Sequence, residues 1–447
     1  MSDELLAVAD RVVAMARTGE QVEAVVVRGT DTEIKVYGGE VESLSSAQSQ
    51  GVGIRVVVDG RQGFAYAGTL DEAVIAETLA EARDNAGFAT HDPFLGLAEP
   101  DGVSVQELDL YRPALESFSP EAKVALAVEV ERAVLAADSR ITGIESAEYM
   151  DGLAEAAVAT TTGIRSVGRE TSCYVATYAM AGDGGDTQTG FGFSVGREPG
   201  ELDPGRAAAD AADRATRMLG ARKPPTSRLT IVLDPWVTAQ FVGLLGYTLN
   251  GDAVQKGRSL FAERLGEEVA SPLVTLVDDP TDVRAYSATD TDGEGLATRR
   301  NVLVQDGMLQ KFVHNAYTAR RAGTTSTGNA VRGFKSTPSV DCLFLTLQPG
   351  TAPPDELVAG VDDGILVLDV SGLHSGVNPV SGDLSTGAEG IRIRNGQLAE
   401  PVREFTIAST LQKMLHDVQA VGSDLQFLPM NAAGVTLVVG DVTVSGS

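Results

Sequence analysis

The chain is poor in the residues that most often carry chemistry: two cysteines, four histidines and one tryptophan in 447 residues. Cys173 and Cys342 lie far apart and form no CxxC pair, which excludes a disulfide scaffold and fits reduced thiols in the cytoplasm. Cys342 stands in the strand-like segment VDCLFL, where it reads as a small buried hydrophobe. His91, His314, His374 and His416 form no HExxH and no close pair, so no helix presents two imidazoles on one face. No apolar run approaches the roughly 18–20 residues that a membrane span needs. The opening MSDELLAVADRVVAMARTGE lacks the basic start and long apolar core of a secretory signal and reads as an amphipathic helix. Neither Gly51-Val52-Gly53 nor Gly190-Phe191-Gly192 has the strand–helix setting of a dinucleotide fingerprint, and no GxSxG elbow occurs. Positive charge is scarce too: 35 Lys and Arg face 62 Asp and Glu, a net charge of −27. That field repels nucleic-acid phosphate and anionic lipid, so neither is expected as a direct partner.

What remains is a chain with the composition of a globular protein, 43% hydrophobic, long enough for two or three domains. Segments 22–28, 32–37, 40–46, 52–58 and 63–67 alternate or run apolar, with Gly38-Gly39 and Asp59-Gly60 as hairpin turns. A helix follows from Thr69 to about Ala86, and another spans Pro120–Ala137 with Ser119 as its N-cap. Strands are expected at 141–150, 153–160, 166–168, 172–181 and 187–194, then an Ala-rich helix at 203–219. Strands followed by a helix thus occur twice, which raises an internal duplication, although no residue pattern repeats. The Arg222–Ser227 stretch, with Pro224-Pro225, is the clearest linker. The expected fold class is α+β: an N-terminal domain over 1–223, with an antiparallel or mixed sheet and helices on one side, and a strand-rich domain with Gly-rich loops over 224–447. Short helices are expected there near 238–249, 316–322 and 408–416.

The richest local signal is the glycine-dense stretch from Ser371 to Leu398, set between a strand at 366–370 and another at 390–394. Glycine at such density lets a backbone turn sharply or approach a ligand or another chain. His374, Gly376, Asn378, Ser381, Gly382 and Asp383 are the candidate substrate or partner contacts, with self-packing of the loop as the competing explanation. The acidic run Thr289–Gly295 alternates carboxylates like a calcium loop but lacks the closing glutamate, so it reads as a turn between two strands. Taken alone, these residues name no reaction.

An ordered series of blocks resembles the TldD/PmbA family, regarded as peptidases. The blocks are Asp292-Gly293-Glu294-Gly295, Thr298-Arg299-Arg300, Gln305–Leu309, Tyr317–Gly323, Ser326–Ala330, Gly376–Asp383 with Ser385, Gly387, Ala388 and Gly390, and Pro401-Val402 through Ala408. The N-terminal half fits more loosely, through Gly51–Arg55. The resemblance implies a heterodimeric zinc metalloprotease in which one branch carries HExxxH on a helix and the TldE-like branch does not. Here the matching helix is expected over 237–251, anchored on Leu249-Asn250-Gly251-Asp252. The histidine positions then fall on Val242 and Tyr247 and the glutamate position on Gly243; the family's later cysteine has no counterpart near Met430–Gly434. Valine cannot ligate zinc, and glycine has no group to take a proton from a metal-bound water. The resemblance therefore implies a subunit with no catalytic residue, metal or other cofactor of its own, zinc being expected in a TldD-type partner, and unfolded or linear peptides as substrates. A stand-alone homodimeric peptide-binding or scaffold protein is the alternative, and hydrolysis by a Ser, Thr or Cys nucleophile a third possibility.

Overall fold

The computed structural model describes residues 2–182 and 184–446. Its first half is a six-stranded antiparallel sheet in the order β3-β2-β1-β4-β5-β6. The strands are β1 (Gln21–Tyr37), β2 (Glu40–Val58), β3 (Arg61–Ala67), β4 (Ile141–Thr160), β5 (Arg165–Ala181) and β6 (Gln188–Gly196). Segments expected as separate short strands are therefore continuous long ones. The polar stretch Arg28–Asp31 interrupts the apolar pattern of β1, yet it pairs with β2 on one side and β4 on the other. Two ladders of backbone hydrogen bonds outweigh weak local strand preference. The turns fall where expected, with Gly38, Gly39, Asp59 and Gly60 all at positive φ, as two-residue hairpins require.

The helices are Ser2–Ala14, Glu72–Phe88, Pro113–Glu116, Pro120–Ala137 and Pro204–Arg217. Asp71, Ser119 and Asp203 cap three of them through side-chain oxygens. Val22, Ala24, Val26, Ile34 and Val36 of β1 share one face by the two-residue period of a strand. The first three pack with the helices Ser2–Ala14 and Glu72–Phe88, and the last two with Pro120–Ala137 and Pro204–Arg217. The four long helices thus cover one face of the sheet. Each half follows the same plan of a helix, three antiparallel strands and a helix, and the halves join where β1 pairs with β4. The duplication that the sequence raised is present in the topology.

In the second half, strands Gln397–Thr410, Asp383–Arg394, Asp363–Ser371, Ser227–Leu233 and Leu437–Ser445 pair in that order, and the last also pairs with the first, closing a ring. Only Ser227–Leu233 and Asp363–Ser371 run parallel in this ring. The apolar helix Pro235–Thr248 leaves the ring directly after Ser227–Leu233 and buries Val237, Phe241, Val242 and Leu245 in its core. The helix Ala316–Ala322 has the expected bounds. The one expected at 408–416 begins only at Leu411, because Ala408 is still paired in a strand.

The face of the first sheet away from its helices meets this second half. Trp236 packs at a tilt against Phe191 and Phe193 of β6, with ring centroids 4.5 and 5.6 Å apart. The proline-rich linker is itself held, since Arg222 N donates to Pro401 O and Arg222 O accepts from Arg403 N.

Candidate functional site

The glycine-dense stretch is far less open than its composition suggests. Asp363–Ser371 pairs antiparallel with Asp383–Arg394, so half of the supposed loop is strand. Gly390 is required there by space: a Cβ would come 2.0 Å from Leu366 O on the neighbouring strand. The irregular part is a turn of helix, Leu373–Gly376, and the segment 377–382. Asn378 Oδ1 accepts from Val380 N and Ser381 N. Ser381 Oγ donates to Asp383 Oδ2 at 2.7 Å. Gly382 N donates to Asn378 O, and Leu411 N to Gly382 O. Self-packing accounts for most of these polar groups. Gly376, Asn378 and Asp383 line an open groove of about 630 Å³ against Ala408 and Ser409. His374 and Ser381 are exposed, and Gly382 is buried.

The helix expected over 237–251 is two helices. Pro235–Thr248 ends before Asn250, whose Oδ1 accepts from Ala253 N and starts Gly251–Gln255. Gly251 leaves room for His314, since a Cβ there would sit 2.2 Å from the ring Nδ1. That buried ring contacts Thr318 Oγ1 at 3.2 Å, and burial lowers its pKa. Val242 points into the apolar core at 2% exposure, while Gly243 and Tyr247 are exposed. The bridge Ala433–Gly434 packs on the helix start, where a Cβ on Gly434 would meet Pro235 O at 1.8 Å. These positions do not fit a zinc ion: the first is an apolar core residue, the second has no side chain, and the third is a phenol. Among the described residues no group of three His, Cys, Asp or Glu could hold a metal.

The densest electrostatics lie elsewhere, at the seam between the two halves. Arg55 of β2 donates Nε to Glu23 Oε1 at 3.0 Å and Nη2 to Glu23 Oε2 at 2.7 Å, with both side chains at or below 4% exposure. Arg55 also reaches Glu294 Oε1 at 3.5 Å, and Arg332 Nη1 donates to Glu23. Burial pushes the Glu23 carboxyl up, but the two guanidiniums outweigh it and hold it below its ordinary range. Burial holds Glu294 above its ordinary value despite Arg55, and it raises Asp292 as well. Glu294 Oε2 accepts from Ala316 N at 2.8 Å, while Asp292 accepts from the backbone of Glu294, Leu296 and Ala330. The acidic run is thus a turn, as expected, but its carboxylates point inward. Glu294 ties the second half to Arg55 of β2, while Asp292 braces its own loop through backbone N–H groups. Sequence reasoning missed Glu23, Arg55 and Arg332. The only signal was an arginine two residues beyond Gly53, within the otherwise apolar 52–58 part of β2.

A helix-backed antiparallel sheet, fastened by buried ion pairs to a second part built on a closed ring of strands, defines a two-part α+β protein. Family models match along the chain: PmbA/TldA metallopeptidase domain 1 over residues 22–86, the central domain over 113–219 and the C-terminal domain over 226–446. The chain belongs to the PmbA/TldD metallopeptidase family. It is 27% identical over 407 residues to "Metalloprotease PmbA" of Escherichia coli O157:H7, covering 90% of this chain and 88% of that one. It is 26% identical over 436 residues to "Metalloprotease TldD homolog" of Haemophilus influenzae, covering 92% and 89%. Its fold matches TldE from Thermococcus kodakarensis with a TM-score of 0.89 at 23% identity, over 99% of both chains. The first two family domains share one sheet here, joined by the β1–β4 ladder.

Proposed function

We propose that this chain is the TldE-type subunit of a two-subunit zinc peptidase, shaping a chamber and gripping unfolded or linear peptides while a TldD-type partner holds the metal in the cytoplasm. The observation that carries this reading is the helix Pro235–Thr248, in a metallopeptidase family, with a core valine at 242, a bare glycine at 243 and a tyrosine at 247. No proton transfer or metal step can be assigned to groups these residues lack. Two features support a role in holding extended chains. The groove beside Gly376, Asn378 and Asp383 is open and wide. Residues 40–50 of β2 are exposed throughout, and β3 pairs only with Val52–Val58, leaving one edge of this segment available for strand addition. Strand addition recognises backbone and tolerates many sequences, as linear peptides of varied composition demand.

The test mixes the purified chain with a TldD-type partner and an unstructured fluorogenic peptide. Chelator-sensitive cleavage is expected only when both chains are present, with zinc in the partner alone. Cleavage by the lone chain in chelator refutes the assignment and favours a side-chain nucleophile. Absence of a complex on size exclusion also refutes it and favours a stand-alone peptide-binding protein.

A further inference from the structure

The two ends of the duplicated sheet are finished differently. By the strand order, β5 stands in its half where β2 stands in the other, and β6 where β3 stands. Each outer strand reaches only part of its neighbour: β6 pairs with Cys173–Ala181 of β5, and β3 with Val52–Val58 of β2. Beyond β6, the edge of β5 is met by an extended segment of the same chain. Leu110 O accepts from Thr171 N at 3.0 Å, and Arg112 N donates to Thr171 Oγ1 at the same distance. On β2 no described segment takes that place, and residues 40–50 are exposed throughout. The fold thus carries its own example of what such an edge accepts, and leaves the second edge open.

An open edge displays unpaired N–H and C=O groups, and proteins ordinarily blunt it with lysine, proline or a bulge. Here a register shift between Lys35 and Val36 leaves Glu42 without a direct partner, so the blunting is confined to the hairpin tip. From Ser43 to Gln50 the edge reads SLSSAQSQ, with no charge and no proline. At about 3.3 Å per residue this stretch spans about 26 Å, enough for a peptide of similar length. The only charges on residues 40–50 are the exposed Glu40 and Glu42. Beside them on β1 the charges balance, Arg28 and Lys35 against Asp31 and Glu33. Behind the hairpin tip, the Glu131 carboxylate accepts from Gly38 N and Gly39 N. The tip is therefore negative, in a chain of net charge −27. Basic side chains fit such an edge and acidic ones are repelled. We infer that β2 takes an extended basic peptide as an added strand, with a Lys or Arg side chain against Glu40 and Glu42. This rests on the peptide-gripping role proposed above and names the class of peptide.

Fluorescence anisotropy on the full chain alone tests it, using labelled Thr/Val peptides of about ten residues. The peptide with Lys at both ends should bind saturably below about 1 mM, and the one with Glu at both ends at least tenfold more weakly. N-methylating the amides of the Lys peptide keeps its charge but removes the donors a ladder needs, and should cost at least tenfold. Glu40→Lys/Glu42→Lys should reverse the preference. Glu77→Lys/Glu81→Lys makes the same change of net charge on the exposed face of the helix Glu72–Phe88 and should leave it within twofold. All four side chains are exposed, so both variants should fold. Five results overturn the inference: no saturable binding, equal binding of the Glu peptide, equal binding of the methylated one, an equal response to both variants, or a dimer on size exclusion that Glu40→Lys/Glu42→Lys breaks. If the lone chain binds no peptide while the two-chain mixture still cleaves one, this inference falls and the subunit assignment stands.

Discussion

Replacing Glu23 with Gln isolates what the buried charges at the seam contribute. Glu23 has no exposure, and it accepts two hydrogen bonds from Arg55 at 3.0 and 2.7 Å and one from Arg332. Glutamine keeps the shape but loses the charge, and its amide nitrogen would face a guanidinium donor. Two buried guanidiniums, Arg55 and Arg332, then have between them only Glu294 as counter-ion, 3.5 Å from Arg55. Breaking one partner of a buried pair costs about 3–5 kcal/mol. The three charge-assisted hydrogen bonds, at about 1.5–3 kcal/mol each, fall to one good bond at most, which is consistent with that range. The assay is urea unfolding followed by the fluorescence of Trp236, the chain's one tryptophan, which packs on β6 at the same seam. Glu23→Gln should lower stability by about 4 kcal/mol. In the double variant Glu23→Gln/Arg55→Met the buried Arg332 and Glu294 still lose their partners, but the Glu23–Arg55 interaction is lost only once, so its loss should be smaller than the two single losses added. A loss below about 1 kcal/mol for Glu23→Gln, or a double variant whose loss equals the sum of the two single losses, would refute the electrostatic account of the seam.

Two further outcomes follow from buried ionisable groups. Burial pushes the fully enclosed Asp278 up to about 7 from its ordinary 3.8. Between those values the folded chain keeps a proton that the unfolded chain has released, so this group's contribution to stability falls as pH rises through that window and is level outside it. The stability of wild type relative to Asp278→Asn should therefore decline between pH 4 and 7 by up to about 1.4 kcal/mol per unit, and a flat difference contradicts the shift. Burial also raises the thiols, Cys173 to about 12 and Cys342 well above its usual value. Ellman's reagent at pH 8 should label neither cysteine in the folded chain and both after unfolding; rapid labelling of the folded chain would contradict their placement.

Much of the architecture was legible because it rests on local chemistry. The hairpin glycines, the Ser119 cap and the bounds of the helix Pro120–Ala137 are short-range signals and lie where the sequence placed them, whereas the helix expected from Thr69 starts at Glu72, capped by Asp71. Strand lengths were not legible, since pairing on both sides carried β1 through a polar stretch that by itself signals a break. The glycine-dense stretch was identified as special, yet its composition could not distinguish an open loop from a strand pressed against its neighbour. Gly390 shows the difference, as its missing side chain makes room for Leu366 O rather than for a ligand.

The amino-acid sequence by itself determined the α+β class, the family and the residues at 242, 243 and 247, because motif order and residue type are properties of the chain alone. Only the tertiary structure decided that Val242 belongs to the core, that Glu294 reaches Arg55 while Asp292 braces its own loop, and that Arg332 pairs with Glu23. Those facts depend on which surfaces meet across sequence separations such as the 309 residues between Glu23 and Arg332. Charge burial and space are set by that meeting, and no local pattern encodes it.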